Sequence, residues 1–172
     1  LAEYCKENGI GFDVIAPVKR EGITVSSTYI RELIQAGEAE RACEYMGHPY
    51  QLSDTVRPAF RLGTKMGTPT INIYFEEGAL IPKQGVYASK VFLEDGSEYI
   101  AATNVGVRPT VNDGDDRISV ESFLLDFSGD LYGKEVRVEL HKFIRDEIKF
   151  DSPEALAKQI HRDAETIKEY FK

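Results

Sequence analysis

The sequence has 172 residues, 42% apolar and 29% charged, which suits one soluble-type domain or one domain with an appendage. Its formal charge of −8 argues against nucleic acid as a main partner, because phosphate backbones are gripped by Lys and Arg. No apolar run approaches the length of a membrane-spanning helix and no signal peptide is visible, so neither a membrane nor an export route is expected.

Residues 1–47 read as mixed α/β. Leu1 opens in mid-element, as expected of a piece of something longer. "LAEYCKEN" has helical spacing and "FDVIAPV" reads as a buried strand. "SSTYIRELIQAGEAERACEYMG" reads as a helix, a break at Gly37, and a second helix. Ser26, Ser27 or Thr28 can cap the first of these, with Arg31 one turn in. Both cysteines, Cys5 and Cys43, lie in this part. They make neither a disulfide framework nor a zinc pattern, which predicts a reducing cytoplasm. His48, His141 and His161 are scattered and read as solvated or helix-surface residues.

From about Tyr50 the period switches to two, and the domain boundary near residues 46–50 rests on that change alone. In "KMGTPTINIYF", Thr70 and Asn72 stand two apart and share one face of a strand, while Ile71 and Ile73 take the other. Pro69 suits the start of a strand or an edge. "GVYASKVFLEDGSEYIAATNVG" reads as two strands joined by Asp95-Gly96, a strong hairpin signal. "RISVESFLLDF" and "EVRVELHKFI" are further strands, so the spacing predicts a small closed β-barrel or sandwich. "DSPEALAKQIHRDAETIKEYF" is a helix, capped by Asp151 or Ser152, with Leu156, Ile160, Ala164, Ile167 and Phe171 as its apolar stripe.

Two features carry chemistry. A hydroxyl and an amide oxygen are hard ligands that suit Mg²⁺, which binds through few protein groups together with substrate phosphates. Thr70 and Asn72 can therefore hold a Mg-nucleotide, and Arg61, Gly63, Lys65 and Gly67 just before them offer cations and mobile N–H groups for phosphates. A polar strand face behind a turn is the plainer alternative. Glu121 sits inside the apolar "ISVESFLLDF", where a carboxylate serves either as a general base or as the partner of a basic residue. The Lys-Ser/Thr ending of a P-loop is missing from "GTKMGT", and no protein-kinase signature set or nucleophile elbow occurs.

"GTPTINI", "GVYA", "NVGVRPT", "VESFLLDF", "DLYG" and "FIRDEIKF", in this order, resemble the riboflavin kinase module of bacterial bifunctional riboflavin kinase/FAD synthetases. Upstream, "ITVSSTYIRELIQAGEAERA" resembles the last motif of that family's FMN adenylyltransferase module, which contacts ATP phosphates. The resemblance implies a mainly β fold, a six-stranded antiparallel Greek-key barrel with a C-terminal helix, preceded by an α/β fragment of a nucleotidyltransferase domain. Residues 1–47 would be that fragment and residues 48–172 the riboflavin kinase domain. The implied reaction moves the γ-phosphate of ATP to the ribityl 5′-hydroxyl of riboflavin, giving FMN and ADP with Mg²⁺. Thr70 and Asn72 would face the metal and the ATP phosphates below a loop containing Gly63, Lys65 and Gly67. Glu121 would be the catalytic base, Arg145 and Glu147 would lie near the flavin, and Ser26, Ser27, Thr28 and Arg31 would be the adenylyltransferase ATP motif. The partners implied are small molecules, with no oligomeric state indicated.

The chain departs from the family's usual Gly-Phe-Pro-Thr-Ala-Asn at Thr68 and Ile71, and carries Ala59 and Arg61 where glycines are usual in the flap. Activity is expected to survive these changes; a flavin-binding barrel without catalysis is the alternative.

Overall fold

The computed structural model describes residues 1–57, 70–107 and 118–172, leaving out the side chain of Pro153. Helix α1 (Ala2–Glu7) is followed by two short paired strands, β1 (Lys19–Arg20) and β2 (Ile23–Thr24). Helices α2 (Ser27–Ala36) and α3 (Ala39–Met46) come next. Of the three candidate caps Ser26 is the one, its Oγ accepting the Tyr29 N–H at 3.3 Å. Gly37 and Gly47, at φ 83° and 81°, close the two helices in the left-handed conformation that glycine adopts without strain.

The expected strand at "FDVIAPV" is not formed. Residues 12–18 have no regular structure, and Val14, Ile15 and Val18 are 80%, 90% and 71% exposed. An apolar run becomes a buried strand only where other strands supply its ladder bonds. Among the described residues, no strand runs beside this one.

The rest is built from six strands, β3 (Tyr50–Thr55), β4 (Thr70–Tyr74), β5 (Gly85–Leu93), β6 (Glu98–Val107), β7 (Ile118–Leu124) and β8 (Glu135–Arg145). They form one antiparallel sheet in the order β3-β8-β5-β6-β7-β4. The sheet curls until its two ends meet. The Arg57 N–H donates to the Asn72 carbonyl at 2.9 Å, and the Tyr74 N–H donates to the Asp54 carboxylate at 3.1 Å. The β5–β6 hairpin turns at Asp95-Gly96 as expected, with the Ser97 N–H on Asp95 Oδ1 at 2.9 Å.

Alternation decides what enters the barrel. Ile73, Tyr87, Val91, Val105, Val120, Val138 and Leu140 fill it, each contributing roughly 1.5–3 kcal/mol by burial. The interior also holds a chain of hydroxyls. Thr103 donates to Ser122 Oγ at 2.8 Å, Ser89 donates to the Ala101 carbonyl at 2.8 Å, and Ser89 and Thr103 lie 2.5 Å apart.

Helix α4 (Pro153–Tyr170) crosses the outer face. Ser152 rather than Asp151 caps it, through the Ala155 N–H at 3.2 Å. Ala164 and Ile167 bury against Ala88, Ala102 and Leu125, while Leu156 and Ile160 are only half-buried. The α2–α3 pair docks on the barrel through its own cluster of Leu33, Ile34, Ala42 and Tyr45, and the Ile34 carbonyl accepts the Lys83 N–H at 3.1 Å.

Candidate functional site

On β4, Ile71 and Ile73 point into the barrel core, which leaves Thr70 and Asn72 on the outer face as the spacing predicts. Asn72 is nevertheless 1% exposed. The register places Asn72 opposite Glu121 on β7, and Glu121 opposite Asn104 on β6. Residues paired in this way share a face with Cβ atoms about 4.5–5.5 Å apart. Asn72, Glu121 and Asn104 therefore form a polar row across three adjacent strands, with Thr70 one step along, opposite Phe123. Glu121 is half-buried between the two amides.

The row continues past β6. Asn104 is opposite Val86 on β5, and Val86 is opposite Arg145 on β8. Between β5 and β8 the register slips twice, after Val86 and after Ala88. Such bulges re-aim side chains. Here Phe143 stays inside, its ring 5.2 Å from that of Tyr87, while Arg145 reaches α4.

Arg145 is thoroughly occupied. Its Nε lies 3.1 Å from both oxygens of Asp163, its Nη2 donates to Oδ2 at 2.7 Å, and its Nη1 donates to the Asp146 carbonyl at 2.9 Å. Gln159 Nε2 adds a bond to Asp163 Oδ1 at 2.9 Å. Arg145, expected near the flavin, joins β8 to α4 through these bonds. Two residues on, Glu147 Oε1 accepts from Asn104 Nδ2 at 3.0 Å, which brings that carboxylate to the end of the row. Lys83 braces the same segment by an ion pair to Asp146 Oδ1 at 2.9 Å.

The structure thus brings Thr70, Asn72, Glu121 and Glu147 to one face of the sheet. Gly63, Lys65 and Gly67, like Ala59, Arg61 and Thr68, lie outside the described residues. Ser26 is spent on capping α2, and Ser27, Thr28 and Arg31 are exposed on its first turns, apart from the row. Asn104 and Asp163 are additions that the sequence reading missed. In the "TNVG" of β6 the polar residues Thr103 and Asn104 are adjacent and take opposite faces, so no period-two polar pair marked Asn104 as "TIN" marked Asn72. Asp163 carries no signal either, because its partner comes from a different element.

Among the described residues, no group of three or more His, Cys, Asp or Glu side chains could hold a metal ion. The donors on this face are a hydroxyl, two amides and separate carboxylates, all hard oxygens. No described helix is long and apolar enough to cross a membrane.

The riboflavin kinase (flavokinase) family matches residues 46–171. The chain is 37% identical over 147 residues to a bifunctional riboflavin kinase/FMN adenylyltransferase of Listeria monocytogenes, covering 86% of this chain and 46% of that protein. The protein of the same description from Haemophilus influenzae is 40% identical over 147 residues, covering 86% and 47%. That from Escherichia coli is 35% identical over 163 residues, covering 94% and 51%. A crystal structure described as a macrolide-efflux protein from Streptococcus pneumoniae matches with a TM-score of 0.81 and 31% identity, over 90% of this chain and 50% of that one. The chain spans about half the length of the curated relatives it matches. It belongs to the riboflavin kinase family.

Proposed function

We propose that this chain transfers the γ-phosphate of ATP to the ribityl 5′-hydroxyl of riboflavin, and that the row on the outer face of the sheet carries the reaction. The observation behind this reading is the register that sets Asn72, Glu121 and Asn104 side by side on β4, β7 and β6, in a chain of this family. Glu121 is the general base. It takes the hydroxyl proton as the oxygen forms its bond to the γ-phosphorus and the bond to the bridging oxygen of ADP breaks. General base catalysis contributes about 10²–10⁴-fold. Amides on the strands to both sides can orient the carboxylate.

Thr70 and Asn72 present a hydroxyl and an amide oxygen on one face, a donor set that fits Mg²⁺ and no softer ion. We assign them to hold it beside the phosphates. When bound, the ion offsets the negative charge of the triphosphate, which a chain of net charge −8 otherwise leaves repelled. The rest of the task is positioning, and a small rigid barrel supplies that.

We further assign residues 1–47 to the tail end of an FMN adenylyltransferase module and residues 48–172 to the riboflavin kinase domain. Ser27, Thr28 and Arg31 are the proposed phosphate-contacting part of the former, and a cytoplasmic location is proposed from the two unpaired thiols.

The test is chromatographic separation of flavins after incubation with riboflavin, ATP and Mg²⁺, beside an EDTA control. FMN formed only with the metal supports the reading. Riboflavin held with no FMN formed would instead identify a binding barrel.

A further inference from the structure

The outer face of β6 is divided between two covers. Ile100 and Ala102 lie under α4, whereas Asn104 and Gly106, the next two positions on that face, lie under Glu147. Two independent features hold that carboxylate there. Asn104 Nδ2 donates to Glu147 Oε1 at 3.0 Å. At Gly106 an added Cβ would stand 2.0 Å from the same Oε1 and 2.6 Å from Glu147 Cδ, so only a glycine leaves room. Gly106 has no left-handed φ, so the backbone does not demand glycine here. Its missing side chain is filled by Glu147 instead.

We propose that Asn104 and Gly106 are positioning residues: together they seat the Glu147 carboxylate beside Glu121, where it recognises the flavin substrate. The proposal rests on the kinase reading given above. It assigns no chemistry to Asn104 or Gly106 themselves. They act through Glu147, an exposed side chain on the segment after β8, by holding it as a fixed acceptor at the end of the row. Loss of the seat should therefore weaken riboflavin and leave ATP alone.

The decisive experiment is a double-mutant cycle of Gly106→Ala and Glu147→Ala, reading KM for riboflavin and for ATP separately. The alanine methyl meets the far end of a flexible side chain rather than backbone, so the strand keeps its place and the carboxylate is displaced. Each single variant is expected to raise the riboflavin KM about tenfold, the scale of one charge-assisted hydrogen bond, with the ATP KM within about twofold of the parent. The double variant should be no worse than either single, because both changes remove the same interaction. Multiplying effects, a Gly106→Ala variant indistinguishable from the parent, or an ATP KM that rises in step would each overturn the seat.

Asn104→Asp is the second probe, should Gly106→Ala fail to fold. It sets a third carboxylate between Glu147 and Glu121, which stands opposite position 104, so its riboflavin KM relative to the parent should climb between pH 5 and pH 8; a flat ratio counts against the proposal. Failure of the underlying reading looks different, since the parent chain would then form no FMN. In that event riboflavin fluorescence quenching replaces KM, and equal, non-multiplying losses still support the seat while unchanged binding overturns it.

Discussion

Asp163 ties α4 to the end of β8. Its side chain is 6% exposed, and Arg145, which it binds in a two-pronged arrangement, is 19% exposed. Asp163→Ala removes the acceptor for Arg145 Nε, Arg145 Nη2 and Gln159 Nε2 at once, and leaves a guanidinium under α4 with no counter-charge at that spot. Breaking one side of a buried pair costs about 3–5 kcal/mol, most of it the desolvation of the abandoned charge. Arg145 keeps its bond to the Asp146 carbonyl and some contact with water, which puts the loss at the lower end, about 3 kcal/mol. A chain of this size loses roughly 2–4 °C per kcal/mol, so the midpoint should fall by about 6–12 °C.

Thermal and urea unfolding followed by circular dichroism measure the midpoint shift and the free-energy loss, the chain having no tryptophan to report by fluorescence. Asp163→Leu combined with Arg145→Met should recover most of the loss, since two well-packed apolar groups bury no charge. A loss under about 1 kcal/mol for Asp163→Ala would refute the reasoning, because that is the worth of a surface pair. The milder Asp163→Asn should also raise the riboflavin KM, as Glu147 follows two residues behind the freed Arg145.

Three other outcomes are expected. Glu121→Gln should lower turnover by about 10²–10⁴-fold with riboflavin binding nearly intact, and a drop under about threefold in a steady-state assay would remove the general-base role. Thr103→Val should destabilise the fold by about 1–3 kcal/mol in urea, because the hydroxyl that donates to Ser122 and lies against Ser89 inside the barrel is lost. Burial holds the His141 imidazole below its ordinary value against the opposing pull of Glu139, with Lys90 and Glu98 also facing it. A histidine depressed in the folded state contributes stability that is present above about pH 6.5 and lost as the pH falls. The stability of His141→Gln should then fall less steeply between pH 7 and pH 5 than that of the parent; a steeper fall would mean that pairing with Glu139 outweighs burial.

Most of the barrel was legible because alternation and turn chemistry are local. "EDGS" marks the β5–β6 turn without reference to anything else, and "TINIY" assigns its own faces. β8 shows where locality ends. Val136, Val138 and Leu140 point inward in strict alternation, which would send Lys142 into the core next; the register slip opposite Ala88 and Ser89 puts Phe143 there instead, and the second slip, opposite Val86 and Tyr87, turns Arg145 outward. A bulge is a property of two strands together, and neither strand announces it alone. "FDVIAPV" failed for the same reason. Its β-branched residues satisfy a strand's side-chain preferences, yet the ladder bonds that make a strand must come from elsewhere.

The site was legible in its parts and not in its assembly. Thr70, Asn72 and Glu121 each stood out as polar groups at positions that otherwise bury, but only the strand order says that β4 lies against β7 and β7 against β6. The row also depends on register. A slip of one residue along β7 would turn Glu121 into the barrel and Ser122 out to the polar row. Ser122 is held from within by Thr103, and Thr103 lies beside Ser89, so the interior hydroxyls fix the alignment of β5, β6 and β7 while the polar row uses it on the outside. Thr103→Val should accordingly lower turnover as well as stability, though Thr103 points into the barrel, away from the polar row. Thr103→Ser, which keeps the hydroxyl, should restore both, and a variant that restored stability alone would separate the register from the chemistry.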